Sequence, residues 1–262
     1  MKILIIKLHW ILSSQFGIDL LRLSRSIRGL PSFLYDWWRY RRLYSGRMHL
    51  TPCLHDRCEE GGVTKTEYFW QDLLVSRWIH KANPLKHVDV GSRIDGFVAH
   101  VASFREIEVI DLRPVSTLIP GVTFLQADLM KDSPMFIGLE GKGYCDSLTC
   151  LHAIEHFGLG RYGDKIDVFG HEKGIANLAS LLKPGGTLYL SAPIGVERVE
   201  FNANRVFNPT TIIDIAKRNN LVLESMVTIA SGKINEVTLD EHTLKRLSEE
   251  KYNLGIFIFK YL

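Results

Sequence analysis

Beyond residue 84 the chain is written in short apolar runs separated by segments of helical period. The runs are "HVDVG" (87–91), "IEVID" (107–111), "VTFLQ" (122–126), "YCDSLTC" (144–150), "GTLYLSA" (186–192), "LVLESMVTIA" (221–230) and "LGIFIFKYL" (254–262). Their lengths and β-branched content are those of strands. Helical spacing marks "TEYFWQDLLVSRWIHKA", stopped by Asn83-Pro84, and later "NPTTIIDIAKRNN" and "DEHTLKRLSEE". Crossover helices fit between the first two runs and between the fourth and fifth, whereas the connections between residues 111 and 144 are short or irregular. Such alternation implies an α/β class, with a mostly parallel, Rossmann-like sheet of seven strands carrying helices on both faces. Residues 66–262 are expected to form this domain.

Residues 1–65 follow another pattern, that of a basic helical extension and connector. "IDLLRLSRSIRGL" and, after Pro31, "SFLYDWWRYRRLY" have the spacing of two amphipathic helices, with Pro31 near the start of the second. Residues 1–50 hold nine Lys and Arg against Asp19 and Asp36, a balance of +7, so the rest of a chain of net charge +3 carries −4. A basic, aromatic-rich helix can lie on an anionic membrane surface or a phosphate-rich partner. Equally, it can cap the main domain through its apolar face. Confinement of the positive charge to this extension speaks against nucleic acid as a partner. The opening "MKILIIKLHWIL" is interrupted by Lys7, shows no small-residue cleavage site, and is too short to span a bilayer. Four cysteines in 262 residues make no disulfide framework. A cytoplasmic protein with free thiols is expected, at most peripheral to the inner face of the membrane through residues 1–50. "CLHDRC" (53–58) lacks a second pair at ligand spacing, and reads as a connector with buried thiols rather than a zinc site.

The strand ends carry the chemistry. "HVDVGSRIDGF" places Asp89, Gly91 and Ser92 at a tight turn after the first run, where backbone can approach a ligand. The later glycines of a dinucleotide fingerprint are replaced by Arg93 and Asp95, and no G-x-x-x-x-G-K-[ST] loop occurs. Asp111 ends the second run 22 residues after Asp89, where a carboxylate can accept both ribose hydroxyls. "QADLM" puts Asp128 and Leu129 after the third run, where Asp128 can accept an adenine amino proton. Acids at successive strand ends, one glycine turn and no phosphate loop suit an adenosine ligand without phosphates.

With these motifs, residues 86–193 resemble the core of class I S-adenosylmethionine-dependent methyltransferases. "VDVGS" is similar to the first motif, "VID" to the ribose acid and "ADL" to the adenine acid, and "LLKPGGTLYLSAP" is similar to the signature before and along the fifth strand. The resemblance implies S-adenosylmethionine as cofactor, held by Asp89, Gly91, Ser92, Asp111, Asp128 and Leu129. A narrower resemblance rests on "EHFGLGRYGDKIDVFGHEKGI", "FNANRVF", "DWWRYRRL" and "EYFWQDL". These are similar to a methyltransferase-like family of unknown function, found in nematodes and in bacterial surface-polysaccharide gene clusters.

"HAIEH" (152–156) spells H-x-x-E-H, the inverted zinc-protease motif, with His152, Glu155 and His156 on one face if the segment is helical. Its place after a buried strand of a nucleotide-binding sheet, and the glycines of "GLGRYGD" that cut a helix short, argue against a hydrolase. In methyltransferases of the resembled kind this segment lies beside the sulfonium and the acceptor. The resemblance then implies His152 or His156 as the base for a hydroxyl. Methyltransferases of ubiquinone biosynthesis and small-RNA ribose methylation have E-x-x-E-H here, so Glu155 and His156 are also candidate ligands of a divalent metal. Arg161, Tyr162 and Asp164 of the following loop, with Asn204 and Arg205 after the fifth run, are candidate contacts to a sugar or glycan-precursor acceptor. An Arg–Asp pair pinning the same loop is the plain structural reading. The expected function is O-methylation of a sugar in surface polysaccharide or its precursor. The alternative is a catalytically silent methyltransferase fold serving glycan-synthesis machinery as a scaffold.

Overall fold

The computed structural model describes residues 2–57, 59–131, 143–230 and 232–262. Two compact units divide at residue 63: Met1–Val63 and Thr64–Leu262.

In the larger unit, helix α3 (Glu67–Ala82) stops where Asn83 takes a left-handed conformation (φ 43°) and its N–H closes on the Ile79 carbonyl. Five parallel strands follow: β1 (His87–Val90), β2 (Ile107–Asp111), β3 (Val122–Gln126), β4 (Cys145–Leu151) and β5 (Leu182–Ile194). A π-turn at Ile94–Val98 running into α4 (Ala99–Ala102) bridges β1 to β2, and α5 (Gly170–Leu181) precedes β5. After a small hairpin, β6 (Arg198–Glu200) and β7 (Asn204–Val206), come α6 (Pro209–Arg218), β8 (Leu221–Ala230), β9 (Lys233–Glu236), α7 (Glu241–Glu249) and β10 (Asn253–Tyr261). The main sheet runs β3-β2-β1-β4-β5-β10-β8-β9, with β10 antiparallel to both neighbours. The expected Rossmann-like sheet is present, extended among the described residues by β9. The pattern misses β9 because its four residues are all exposed and bury nothing.

Helices cover both faces, as the alternation predicts. On one, Val75 and Ile79 of α3 pack with Phe97, Val101, Val109 and Ile256. On the other, Ile175 and Leu178 of α5 and Ile212 and Ile215 of α6 pack with Leu148, Leu190 and Phe257. Reversal of chain order at β1 and β4 leaves a crevice at the carboxyl ends of the parallel strands, where ligands of open α/β sheets bind.

The smaller unit holds α1 (Lys2–Phe16) and α2 (Leu20–Leu43). Two helices were expected over the second range, but α2 is continuous and Pro31 lies inside it. Leu20, Leu23, Ile27, Leu30, Leu34 and Trp38 keep one helical stripe in phase across the proline, whose fixed φ is itself compatible with a helix. Cys53 is exposed, correcting the expectation of a buried connector thiol; Cys58 lies outside the described residues. Of the described residues, no helix is long and apolar enough to cross a membrane.

Candidate active site

A cavity of about 660 Å³ opens at the carboxyl ends of β1, β2 and β4, within the roughly 300–1,000 Å³ usual for small-molecule sites. Gly91, Asp111, Asp128 and Leu129 line one part, and His152, Glu155, His156, Arg161, Tyr162, Asp164 and Asn204 another. These predicted residues thus share one cavity.

Gly91 has φ 74°, and a Cβ there would meet the Ala153 side chain at 2.9 Å, so the turn needs glycine on both counts. Asp89 and Ser92 do not line the cavity. They organise the turn from beneath: Asp89 accepts from Ser92 N (3.0 Å), Ser92 Oγ (2.5 Å) and Thr149 Oγ1 (2.6 Å) while fully buried. Burial pushes the Asp89 carboxyl up to about 7, against the pull of the Ser92 and Thr149 hydrogen bonds. Their expected role as direct cofactor contacts is therefore replaced by support of the Gly91 loop.

Asp111 meets the cavity already paired. Arg113 donates to it through N (2.8 Å), Nε (3.0 Å) and a terminal nitrogen (2.6 Å), and its guanidinium lies 4.6 Å from the Tyr162 ring centroid. Asp128 accepts from Met130 N at 3.0 Å, with Lys131 Nζ 3.6 Å away.

The segment after β4 is not an α-helix. His152 takes φ 51°, and only Ile154–His156 forms a single 3₁₀ turn. The i, i+3, i+4 face assumed for H-x-x-E-H is consequently absent. Among the described residues no group of three or more His, Cys, Asp or Glu is placed to hold a metal ion.

The two histidines differ in state. His152 Nδ1 lies 2.8 Å from Glu155 Oε1, and Nε2 is 3.5 Å from Glu67 Oε1, at ion-pair range without a hydrogen bond. Burial alone would depress its pKa, but the Glu155 and Glu67 carboxylates reverse the sign and lift it to about 9. His152 is an imidazolium near neutral pH, clamped between α3 and the post-β4 turn. Its backbone N–H is also fixed, donating to Ser191 Oγ at 3.0 Å. His156 Nδ1 faces the Ala203 carbonyl at 2.7 Å. A carbonyl only accepts, so Nδ1 carries the proton and Nε2 keeps its lone pair. Burial, opposed by Glu155 and aided by Arg161, holds His156 below the ordinary imidazole value.

In the loop, the Arg–Asp pair of the plain structural reading does not form. Asp164 caps Gly160 N (3.1 Å) and Tyr162 N (3.2 Å), while Arg161 donates to the Ala203 carbonyl at 2.8 Å. Gly158 (φ 77°) has the Asp167 carbonyl where a Cβ would stand, which closes the loop on itself. Asn204 reaches the cavity, but Arg205 does not. Buried, Arg205 donates to the carbonyls of Phe157 (2.6 Å), Glu155 (3.4 Å) and Asp167 (3.4 Å), and pins the post-β4 segment rather than contacting an acceptor.

Among the lining residues that sequence reasoning missed are Glu67, Tyr68, Arg113 and Tyr252. Tyr252 donates to Glu67 at 2.6 Å, and the Tyr68 ring centroid is 4.5 Å from that of His152. Arg113 carried a legible signal, a cation two residues after a strand-end acid. The other three come from sequence-distant elements that only the fold brings together.

Sheet and crevice together define the fold of S-adenosylmethionine-dependent methyltransferases. The chain is similar to a candidate sarcosine dimethylglycine methyltransferase of Galdieria sulphuraria, at 13% identity over 73% of this chain and 85% of that one, with a TM-score of 0.50. It is also similar to the 1,6-didemethyltoxoflavin-N1-methyltransferase of Burkholderia thailandensis solved with S-adenosylhomocysteine (11%; 76% and 80%; 0.49). The N-methyltransferase NodS of Bradyrhizobium japonicum, also with S-adenosylhomocysteine, is similar to the same degree (14%; 77% and 89%; 0.49). Residues 139–260 match the family described as "Caenorhabditis protein of unknown function, DUF268", in keeping with the resemblance to a methyltransferase-like family of unknown function. No curated protein matches.

Proposed function

We propose that this chain is an S-adenosylmethionine-dependent methyltransferase that O-methylates a sugar of surface polysaccharide or its precursor in the cytoplasm. One observation carries the reading. Two strand-end acids, Asp111 and Asp128, share a cavity with a neutral histidine whose tautomer is fixed by a backbone carbonyl. Gly91, Asp111, Asp128 and Leu129 fit an adenosine, since the cradle has a side-chain-free turn, two carboxylates for hydroxyl and amino donors, and an apolar wall. When bound, S-adenosylmethionine supplies the methyl group. Nε2 of His156 takes the proton of the acceptor hydroxyl. Asn204, Tyr162 and Arg161 offer the polar contacts that orient a sugar, and His152 holds the turn on which His156 sits.

A second reading, the silent scaffold, is favoured by the Arg113–Asp111 ion pair, which occupies the carboxylate a ribose would need. Calorimetric titration with S-adenosylmethionine and S-adenosylhomocysteine separates the two. Wild type binds both, and Asp111→Ala weakens binding about tenfold to a hundredfold, the worth of hydrogen bonds to a charged group. Absence of binding by wild type would end the enzyme reading. Recovery of binding in Arg113→Ala would assign that silence to the ion pair.

A further inference from the structure

The smaller unit covers the wrong side of its long helix for a water-soluble element. The connector after α2 returns along the polar face: Leu54 lies against Gly29, Glu59 pairs with Arg25 at 2.5 Å, and Arg57 pairs with Asp36 at 2.6 Å. On the opposite side Leu20, Leu23, Ile27, Leu30, Leu34 and Trp38 form one stripe at helical spacing, each between 43% and 65% exposed. No residue of α2 is buried. About five turns of apolar side chain thus stand half exposed, while the chain's own connector occupies the charged face.

Charge says what fits this stripe. Residues 1–63 carry ten Lys and Arg against five acids, a balance of +5. At the carboxyl end of α2, Arg39 and Arg42 lie over the rings of Tyr35 and Trp38 (5.7 and 4.6 Å), and Arg41 donates to the Tyr44 carbonyl. Guanidiniums on aromatic rings beside an apolar stripe are what an anionic membrane interface accepts. The rings and aliphatic chains enter the acyl boundary while the cations stay at the headgroups. A second copy laid on the stripe would bring like charge against like charge.

We infer that α2 docks the protein on an anionic phospholipid surface, through the Leu20–Trp38 stripe and the arginines at its carboxyl end. This surface is independent of the cavity, and it would bring a membrane-bound acceptor to the same leaflet as the chain.

Vesicle sedimentation of the full chain tests the inference. Wild type binds vesicles of equal parts phosphatidylcholine and phosphatidylglycerol, binds pure phosphatidylcholine far more weakly, and is released by salt. Leu23→Gln/Ile27→Gln/Leu34→Gln loses at least about tenfold in affinity for the anionic vesicles. Arg39→Gln/Arg41→Gln/Arg42→Gln loses about a hundredfold at low salt. Circular dichroism checks that both variants keep their helices, and the arginine variant decides the matter if the stripe variant does not fold. No binding by wild type, or binding as tight as wild type by both variants, would overturn the inference. So would a stripe variant that turns a dimer into a monomer on gel filtration and still binds vesicles.

Discussion

His152 and His156 stand four residues apart with opposite protonation, because their neighbours differ. His152 lies between two carboxylates, whereas His156 donates its Nδ1–H to a carbonyl and turns Nε2 toward Glu155 Oε1 only at 3.8 Å. The folded-state pKa of His152, about 9, exceeds the ~6.5 of a free imidazole. Its stabilising contribution is therefore complete below pH ~6.5 and disappears as pH rises through 9. Removing it strands the buried Glu155 carboxylate and takes a cation from the partly exposed Glu67, so His152→Gln is expected to lose about 3 kcal/mol near neutral pH. The gap to wild type should close above pH 9, as wild type loses the same charge. Denaturant titration across that range measures both. His156→Gln should keep nearly full stability and lose about a hundredfold or more in methyl transfer, assayed with labelled S-adenosylmethionine over a panel of nucleotide sugars. Unchanged turnover in that variant would remove His156 as the base.

At the scale of elements, strands and long helices were legible because burial imposes a period, but the post-β4 segment was not. Read as a helix, "HAIEH" gave a shared face for three ligands; folded, it is one 3₁₀ turn entered through a left-handed histidine. The turn is held by Arg205, almost fifty residues away, and no local pattern can report a contact of that range. Arg205 was legible as a cation near the site, though not as a buried donor to three carbonyls. A residue gripping backbone and one gripping substrate predict different phenotypes. Arg205→Met should lower stability by about 2 kcal/mol, since it leaves buried carbonyls without their donor. It should also speed amide hydrogen exchange over residues 153–168. A raised KM at unchanged melting temperature would instead restore the acceptor-contact role.

At the scale of the molecule, composition already divided the chain, a basic, aromatic extension before a mildly acidic α/β domain. The structure adds that every buried residue among those described lies at or beyond Gln71, in the unit Thr64–Leu262. Both apolar clusters that hold the sheet to its helices are drawn from that unit alone. Residues 1–63 contribute no buried side chain among those described, so their removal deletes little that hydrophobic burial stabilises. A chain beginning at Thr64 should then melt cooperatively within about 3 °C of the full chain, a difference below roughly 1 kcal/mol for a domain of this size. It should bind S-adenosylmethionine as the full chain does, because every residue lining the cavity lies at or beyond Glu67. Attachment to anionic vesicles should be lost. A drop of ten degrees or more on truncation would mean that the extension is part of the folding unit, and that its stripe is covered by protein rather than lipid.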